Sequence, residues 1–280
     1  MRIIIMISIL LLLLGSSGYY VYIRATQAFP STFVKSAPML ILYIFLLSSF
    51  FIGKIVEHYS IDGLSNFLVT IGSVAAGLFL YALLFVIFFD IIRVLHTIIP
   101  YPVFVTANYQ KTKLILGIIT LISISSIFII GYIVAGNPKV KNLDITINKS
   151  NSDLKTLNIV AVSDIHLGTM VNRTKVKRLI KIINDLNPDL VLIGGDIIDD
   201  NINVVKHYDL LSHFKDINSK YGVYSCMGNH EYISRAHTEI PYFEQNGIHM
   251  LVDSTVKIDD SFYIIGRDDI EGKNISGKPR

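Results

Sequence analysis

The chain has 280 residues, 51% of them hydrophobic and 17% charged, with a formal net charge of +3 and a mean hydropathy of +0.52. It is too apolar for an ordinary water-soluble protein. One cysteine, Cys226, rules out an internal disulfide.

The charge is unevenly placed. Residues 1–138 hold seven Lys/Arg and three Asp/Glu, whereas residues 139–280 hold eighteen and nineteen. The basic pI therefore comes from the first part and does not argue for nucleic-acid binding. The composition shifts near Asn137-Pro138, which predicts a transmembrane helical region over 1–138 and a water-soluble domain over 139–280.

Four uncharged runs in the first part approach or exceed the roughly 20 apolar residues that a helical span needs. They are residues 3–23, 36–53, 63–89 and 114–138. The second is the shortest and contains Pro38. The first also reads as a signal peptide, but it lacks an Ala-x-Ala cleavage site and stays apolar through Tyr19–Ile23. This predicts a multi-pass protein of the cell membrane with lipids as partners. Four spans put both termini on one side. Arg2, Lys54, Lys139, Lys141 and Lys149 then face Arg24, Lys35, Arg93, Lys111 and Lys113 across the membrane. The positive-inside rule is tied, so orientation stays open. Residues 91–99 read as a short interfacial amphipathic piece, with His96 as a solvated surface histidine.

In the second part, residues 142–148 alternate loosely and predict an edge strand through Leu143, Ile145 and Ile147. Asn151-Ser152-Asp153 predicts a turn. Residues 157–162 are nearly continuously apolar, as a strand covered on both faces would be. A helix is predicted from about Asn172, with Val176, Leu179, Ile180, Ile183 and Leu186 on its apolar face. Residues 189–193 predict the next strand, completing a βαβ unit. Helical stretches follow over 203–220 and 234–245, around a short strand at 222–225. Residues 248–252, 255–258 and 262–265 predict three more strands.

Three polar clusters stand at the ends of successive apolar segments: Asp164-Ile165-His166, Gly194-Gly195-Asp196 and Gly228-Asn229-His230-Glu231. Ligand sites of α/β folds form at such strand ends. Carboxylate and imidazole both suit Zn, Mn or Fe. Asp196 has two oxygens with which to bridge two metals, and its glycines allow close backbone approach. Asn229 can offer an amide oxygen. His230 can donate a proton to a leaving oxygen, with Glu231 fixing its tautomer. Each cluster alone has a plainer reading, as a helix cap, a core histidine or a turn. Three in succession read as one site.

In this order and spacing the motifs resemble the calcineurin-like metallophosphoesterase superfamily, in particular its membrane-associated bacterial branch. That branch includes phosphodiesterases and UDP-2,3-diacylglucosamine hydrolases. The likeness covers roughly residues 157–269. It implies an α/β fold, a β-sandwich flanked by helices, with a dinuclear centre. Asp164 and His166 would bind the first metal, Asp196 would bridge, Asn229 would bind the second, and His230 would be the catalytic histidine. The family's later lone His and Gly-His-x-His motif have no counterpart here; the histidines after His230 are His237 and His249, in no such motif. The expectation is a domain incomplete at its C-terminus, with three ligands for one metal, two for the other, and weak activity of this chain itself. Gly266-Arg267-Asp268-Asp269 also resembles the branch but is assigned no ligand role.

The implied reaction is hydrolysis of a phosphomonoester, phosphodiester or pyrophosphate by two divalent cations. A phospholipid, lipid-linked pyrophosphate or cell-envelope substrate fits a membrane location. No Walker loop is present. Nucleic acid is not an expected partner, because Lys175, Lys177, Arg178 and Lys181 read as the solvated face of a helix. The reading from another class is a catalytically inactive membrane scaffold or sensor with a degenerate domain.

Overall fold

The computed structural model describes residues 2–148 and 154–276. The chain divides into two compact units, Met1–Val140 and Lys141–Arg280.

The first unit is all helical: α1 Arg2–Ala28, α2 Ser31–Val34, α3 Ala37–Tyr59, α4 Gly63–Leu95, α5 Val103–Ala107 and α6 Tyr109–Ala135. Among the described residues three helices, α3, α4 and α6, are long and apolar enough to cross a membrane, not the four expected. The fourth expectation, residues 3–23, falls on α1, several of whose side chains lie outside the described residues. Pro38 sits in the first turn of α3, where its missing N–H costs no helical hydrogen bond. Asp62 caps α4 by accepting from the Ser65 N–H at 2.9 Å.

Close backbone contact joins α3 to α4. A Cβ on Gly72 would lie 2.2 Å from the Phe50 nitrogen, and one on Gly53 would lie 2.7 Å from the Val69 nitrogen. Small residues allow such packing where the hydrophobic effect offers no drive between helices.

The predicted interfacial piece at 91–99 is corrected. Helix α4 continues through Asp90 and Arg93 to Leu95. It need not stop at its first charge, because Asp90 pairs with Arg24 and accepts the Tyr20 hydroxyl at 2.6 Å. His96 is no plain surface histidine. Its Nδ1 accepts the Tyr101 N–H at 2.7 Å, and its ring stacks on that tyrosine with centroids 3.7 Å apart.

The second unit contains β1 Ile159–Val162, α7 Arg173–Asp185, β2 Leu190–Ile193, α8 Ile202–His207, β3 Val223–Ser225, α9 Asn229–Ile233, α10 Ile240–Gln245, β4 Ile248–Met250, β5 Ser254–Ile258, β6 Phe262–Gly266 and α11 Ile270–Ser276. Strands β1 to β4 form one parallel sheet in sequence order. Ile159 pairs with Leu190, Val191 with Val223, and Val223 with Ile248. Strands β5 and β6 form a separate antiparallel hairpin. The α/β architecture matches the expectation. Of the implied sandwich, the described residues hold this sheet and this hairpin.

One face of the sheet carries the core: Val176, Ile180 and Ile183 of α7 pack with Val191, Ile193, Val205, Phe214 and Phe243. The Asn172 side chain caps α7 by accepting from the Thr174 N–H at 3.2 Å. β1 is not covered on both faces as expected, for Ile159 is 45% exposed and Ala161 is exposed.

Three further expectations change. Residues 142–148 form no strand, and Leu143, Ile145 and Ile147 are exposed. The helix predicted over 203–220 is broken after α8, where Asp209 takes a left-handed φ of 49°; a 3-10 turn, Leu211–Asp216, follows. The helix predicted over 234–245 restarts after Arg235, at φ 62°, and Pro241 lies in the first turn of α10. Helices α9 and α11 were not predicted. The turn predicted at residues 151–153 lies outside the described residues.

Candidate metal centre

Parallel pairing brings the carboxyl ends of β1, β2 and β3 to one edge, and the loops leaving them carry the three motifs. The first two loops run side by side. The Asp164 N–H donates to the Gly195 carbonyl at 3.3 Å, His166 N–H to the Asp196 carbonyl at 3.0 Å, and Leu167 N–H to the Ile197 carbonyl at 2.7 Å.

The backbone there is unusual. Asp164, His166 and Asp196 all have left-handed φ values, 56°, 53° and 53°. Such conformations are sparse for residues other than glycine, and Asp, Asn and His tolerate them best. With both Asp164 and His166 left-handed, strand geometry does not persist past β1, and the loop sets where the two side chains point.

The third loop touches the second. A Cβ on Gly195 would lie 2.7 Å from the Gly228 nitrogen. One on Gly228 would lie 2.1 Å from Asp196 Oδ1. Both glycines are demanded by close approach. The His230 N–H then donates to Asp196 Oδ1 at 2.9 Å.

Glu231 locks this arrangement. Its side chain is fully buried. Oε1 accepts the N–H groups of Ile197 at 2.8 Å and Ile198 at 3.1 Å. Oε2 accepts those of Asp196 at 2.9 Å and Gly228 at 2.8 Å. Burial pushes its carboxyl above the usual range, while the four N–H donors pull it back. Glu231 therefore does not orient His230, as the sequence suggested. That role falls to Asp199, whose carbonyl lies 2.6 Å from His230 Nδ1.

Two groups of donor atoms result, each within 4.8 Å of one another: Asp164, His166 and Asp196, and His166, Asp199 and His230. His166 belongs to both. Its Nδ1 lies 3.4 Å from Asp199 Oδ1, its Nε2 3.9 Å from Asp164 Oδ1, and its ring meets that of His230 edge-on at 4.4 Å. Imidazole and carboxylate donors at a partly exposed edge fit a divalent cation of borderline hardness. The two clusters are consistent with a dinuclear site. Asn229 opens α9 beside them and is exposed.

Asp199 was missed. Its signal was the second carboxylate three residues after Asp196 in the same loop. The two histidines that follow His230 stay outside: His237 stacks on Tyr232 at 4.6 Å, and His249 pairs with Glu244 at 3.0 Å. Asp268 accepts the Tyr232 hydroxyl at 2.6 Å, which ties α9 to the segment before α11 and gives the Gly266–Asp269 stretch a structural role.

Comparison with known proteins agrees with this geometry. Residues 157–279 match the calcineurin-like phosphoesterase family. An uncharacterised metallophosphoesterase of Campylobacter jejuni is 42% identical over 95 residues, 34% of this chain and 24% of that protein. A transmembrane protein with metallophosphoesterase domain from Danio rerio is 33% identical over 145 residues, 49% of this chain and 32% of that protein. A UDP-2,3-diacylglucosamine pyrophosphatase of Chlamydia muridarum is 28% identical over 102 residues, 36% and 31% of the two chains. The chain thus spans no more than a third of the length of these relatives. No solved structure matches it. The match to the calcineurin-like phosphoesterase family lies wholly within the second unit, and the chain's relatives include transmembrane proteins with a metallophosphoesterase domain.

Proposed function

We propose that this protein is a multi-pass membrane phosphoesterase, with its membrane-spanning helices in residues 1–138 and the hydrolytic domain in 139–280. The observation that carries the reading is the convergence of Asp164, His166 and Asp196 beside a histidine whose Nδ1 is held by a carbonyl.

Asp164 and His166 would hold one divalent cation and Asn229 a second, with Asp196 between them. Such a pair supplies charge neutralisation at phosphoryl oxygens and lowers the pKa of water. The chain's own residues do the rest. The His230 Nδ1–H donates to the Asp199 carbonyl, so Nε2 is the atom that holds or gives up the mobile proton. Protonated there, it can hand a proton to the leaving oxygen. The Glu231 clamp keeps the loops rigid, so little reorganisation accompanies the reaction.

A lipid or cell-envelope phosphoester is the proposed substrate. Its support is twofold: helices of spanning length in the same chain, and a relative that acts on a diacylated sugar nucleotide.

The test is the chain purified in detergent, titrated with Mn²⁺ or Zn²⁺ and assayed on an aryl phosphodiester. The expected result is metal binding and metal-dependent hydrolysis, with hydrolysis at least tenfold lower in Asp196→Ala. Absence of both binding and turnover would return the chain to the scaffold reading.

A further inference from the structure

A second site lies within the helical unit, whose residues include none of the phosphoesterase motifs. Helices α1, α4, α5 and α6 enclose a cavity of about 700 Å³. Its wall is mostly apolar, but one end is cationic. Arg24 of α1, Arg93 of α4 and Lys113 of α6 all line it, against a single acid, Asp90.

These charges are unevenly satisfied. Arg24 pairs with Asp90 and also donates to Gln27 Oε1 at 2.8 Å. Its Nε is buried and has no hydrogen-bond partner. A buried donor left unpaired is costly, and a ligand acceptor would remove that cost. Arg93 forms no ion pair among the described residues. Lys113 lies over the Tyr109 ring at 4.9 Å and forms no ion pair among the described residues. With Asp90 already engaged, the cationic end has an excess of two positive charges.

The cavity also has the right depth. It runs along α6 from Lys113 to Ile124 and along α4 from Arg93 to Ala82. Eleven residues of helix rise about 17 Å, and one leaflet contributes about 15 Å of the roughly 30 Å hydrocarbon core. A cationic end with one leaflet's depth of apolar wall fits a molecule with an anionic head and an acyl tail. A free anion would leave the apolar length unfilled.

We infer that this cavity binds one anionic phospholipid, with its headgroup phosphate at Arg24, Arg93 and Lys113 and an acyl chain along α4 and α6. The site is independent of the phosphoesterase reading.

Native mass spectrometry of the full chain in mild detergent tests this, with dioleoyl phosphatidylglycerol, dioleoyl phosphatidylcholine and inorganic phosphate as probes. One phosphatidylglycerol should be retained, at least tenfold more tightly than phosphatidylcholine. The Arg93→Gln/Lys113→Gln variant, which breaks no ion pair, should weaken retention about thirtyfold, in keeping with the attraction of each basic residue for anionic headgroups. Ala82→Phe should displace the acyl chain and weaken both lipids. Helical content by circular dichroism identifies any variant that misfolds, and the other variant then decides. Equal retention of the two lipids, retention unaffected in the folded variants, or displacement of the lipid by inorganic phosphate at millimolar concentration would overturn the assignment.

Discussion

The buried carboxylate of Glu231 accepts the backbone N–H of Asp196 at 2.9 Å, so an acid of the third motif fixes the position of the acid in the second. The same carboxylate holds three other N–H groups. Glu231→Gln would turn an amide N–H₂ toward two of those donors. The expected loss of stability is about 2–4 kcal/mol, the cost of leaving buried donors unpaired. Denaturant unfolding followed by circular dichroism measures it, and Glu231→Asp should also destabilise because it is one methylene too short to reach both loops.

Gly228 leaves no room for a side chain. Any Cβ there meets Asp196 at Oδ1 and at the backbone nitrogen, 2.1 and 2.6 Å away. Gly228→Ala should displace Asp196 and abolish metal binding while leaving the helical content intact. Isothermal titration with Mn²⁺ reads the first effect and circular dichroism the second.

Asp199 acts through two different atoms. Its carbonyl faces His230 Nδ1, whereas its carboxylate Oδ1 lies 3.4 Å from His166 Nδ1. Asp199→Asn keeps the carbonyl and removes the charge. Metal affinity should fall by about 10–100-fold, as when a partner of a ligating histidine is lost. At saturating Mn²⁺ hydrolysis should recover towards the wild-type rate, because the Asp199 carbonyl still faces His230 Nδ1. A rate that stays low at saturating metal would mean that the carboxylate does more than support His166.

Burial pushes the Cys226 thiol up, and the nearby Glu231 and Asp196 carboxylates push it the same way. A raised pKa means less thiolate at a given pH. Alkylation by iodoacetamide at pH 8 should therefore be slower in the native chain than in denaturant, and its rise with pH should be displaced to more alkaline values. Equal native and denatured rates would show that the thiol is neither buried nor shifted.

Helix crossing in the first unit depends on Gly72. Its missing side chain lets the Phe50 backbone approach closely. Gly72→Leu should separate α3 from α4 and lower the temperature at which the detergent-solubilised protein aggregates, with Gly15→Leu, where a Cβ meets nothing within 4 Å, as the neutral control.

The sequence made the apolar helices and the βαβ unit legible, because each rests on a local period or a run length. It brought Asp164, His166, Asp196 and His230 to one edge for the same reason, since parallel strands deliver successive loops to the same end. Breaks in the helices were not legible: Asp209 and Arg235 stop them through left-handed backbone that no period reveals. Nor was the work of Glu231. A glutamate beside a histidine reads as its partner, and only the fold shows that its oxygens are already occupied by four backbone N–H groups. The extent of α4 was missed because Asp90 looked like the end of a span, while its neutralising partner Arg24 lies 66 residues away.

The left-handed backbone at Asp164, His166 and Asp196 narrows what these positions can become. Coordination asks for Asp, His or Asn, and so does the backbone, which penalises branched and bulky side chains whether or not chemistry is selected. Substitution at these three positions is therefore filtered twice, once by function and once by conformation. A lineage that had abandoned hydrolysis would still drift slowly here, and its motif would outlive its activity. In proteins of this kind an intact Asp-x-His or Gly-Asp signature testifies first to the geometry of the loops, and turnover has to be measured to be known.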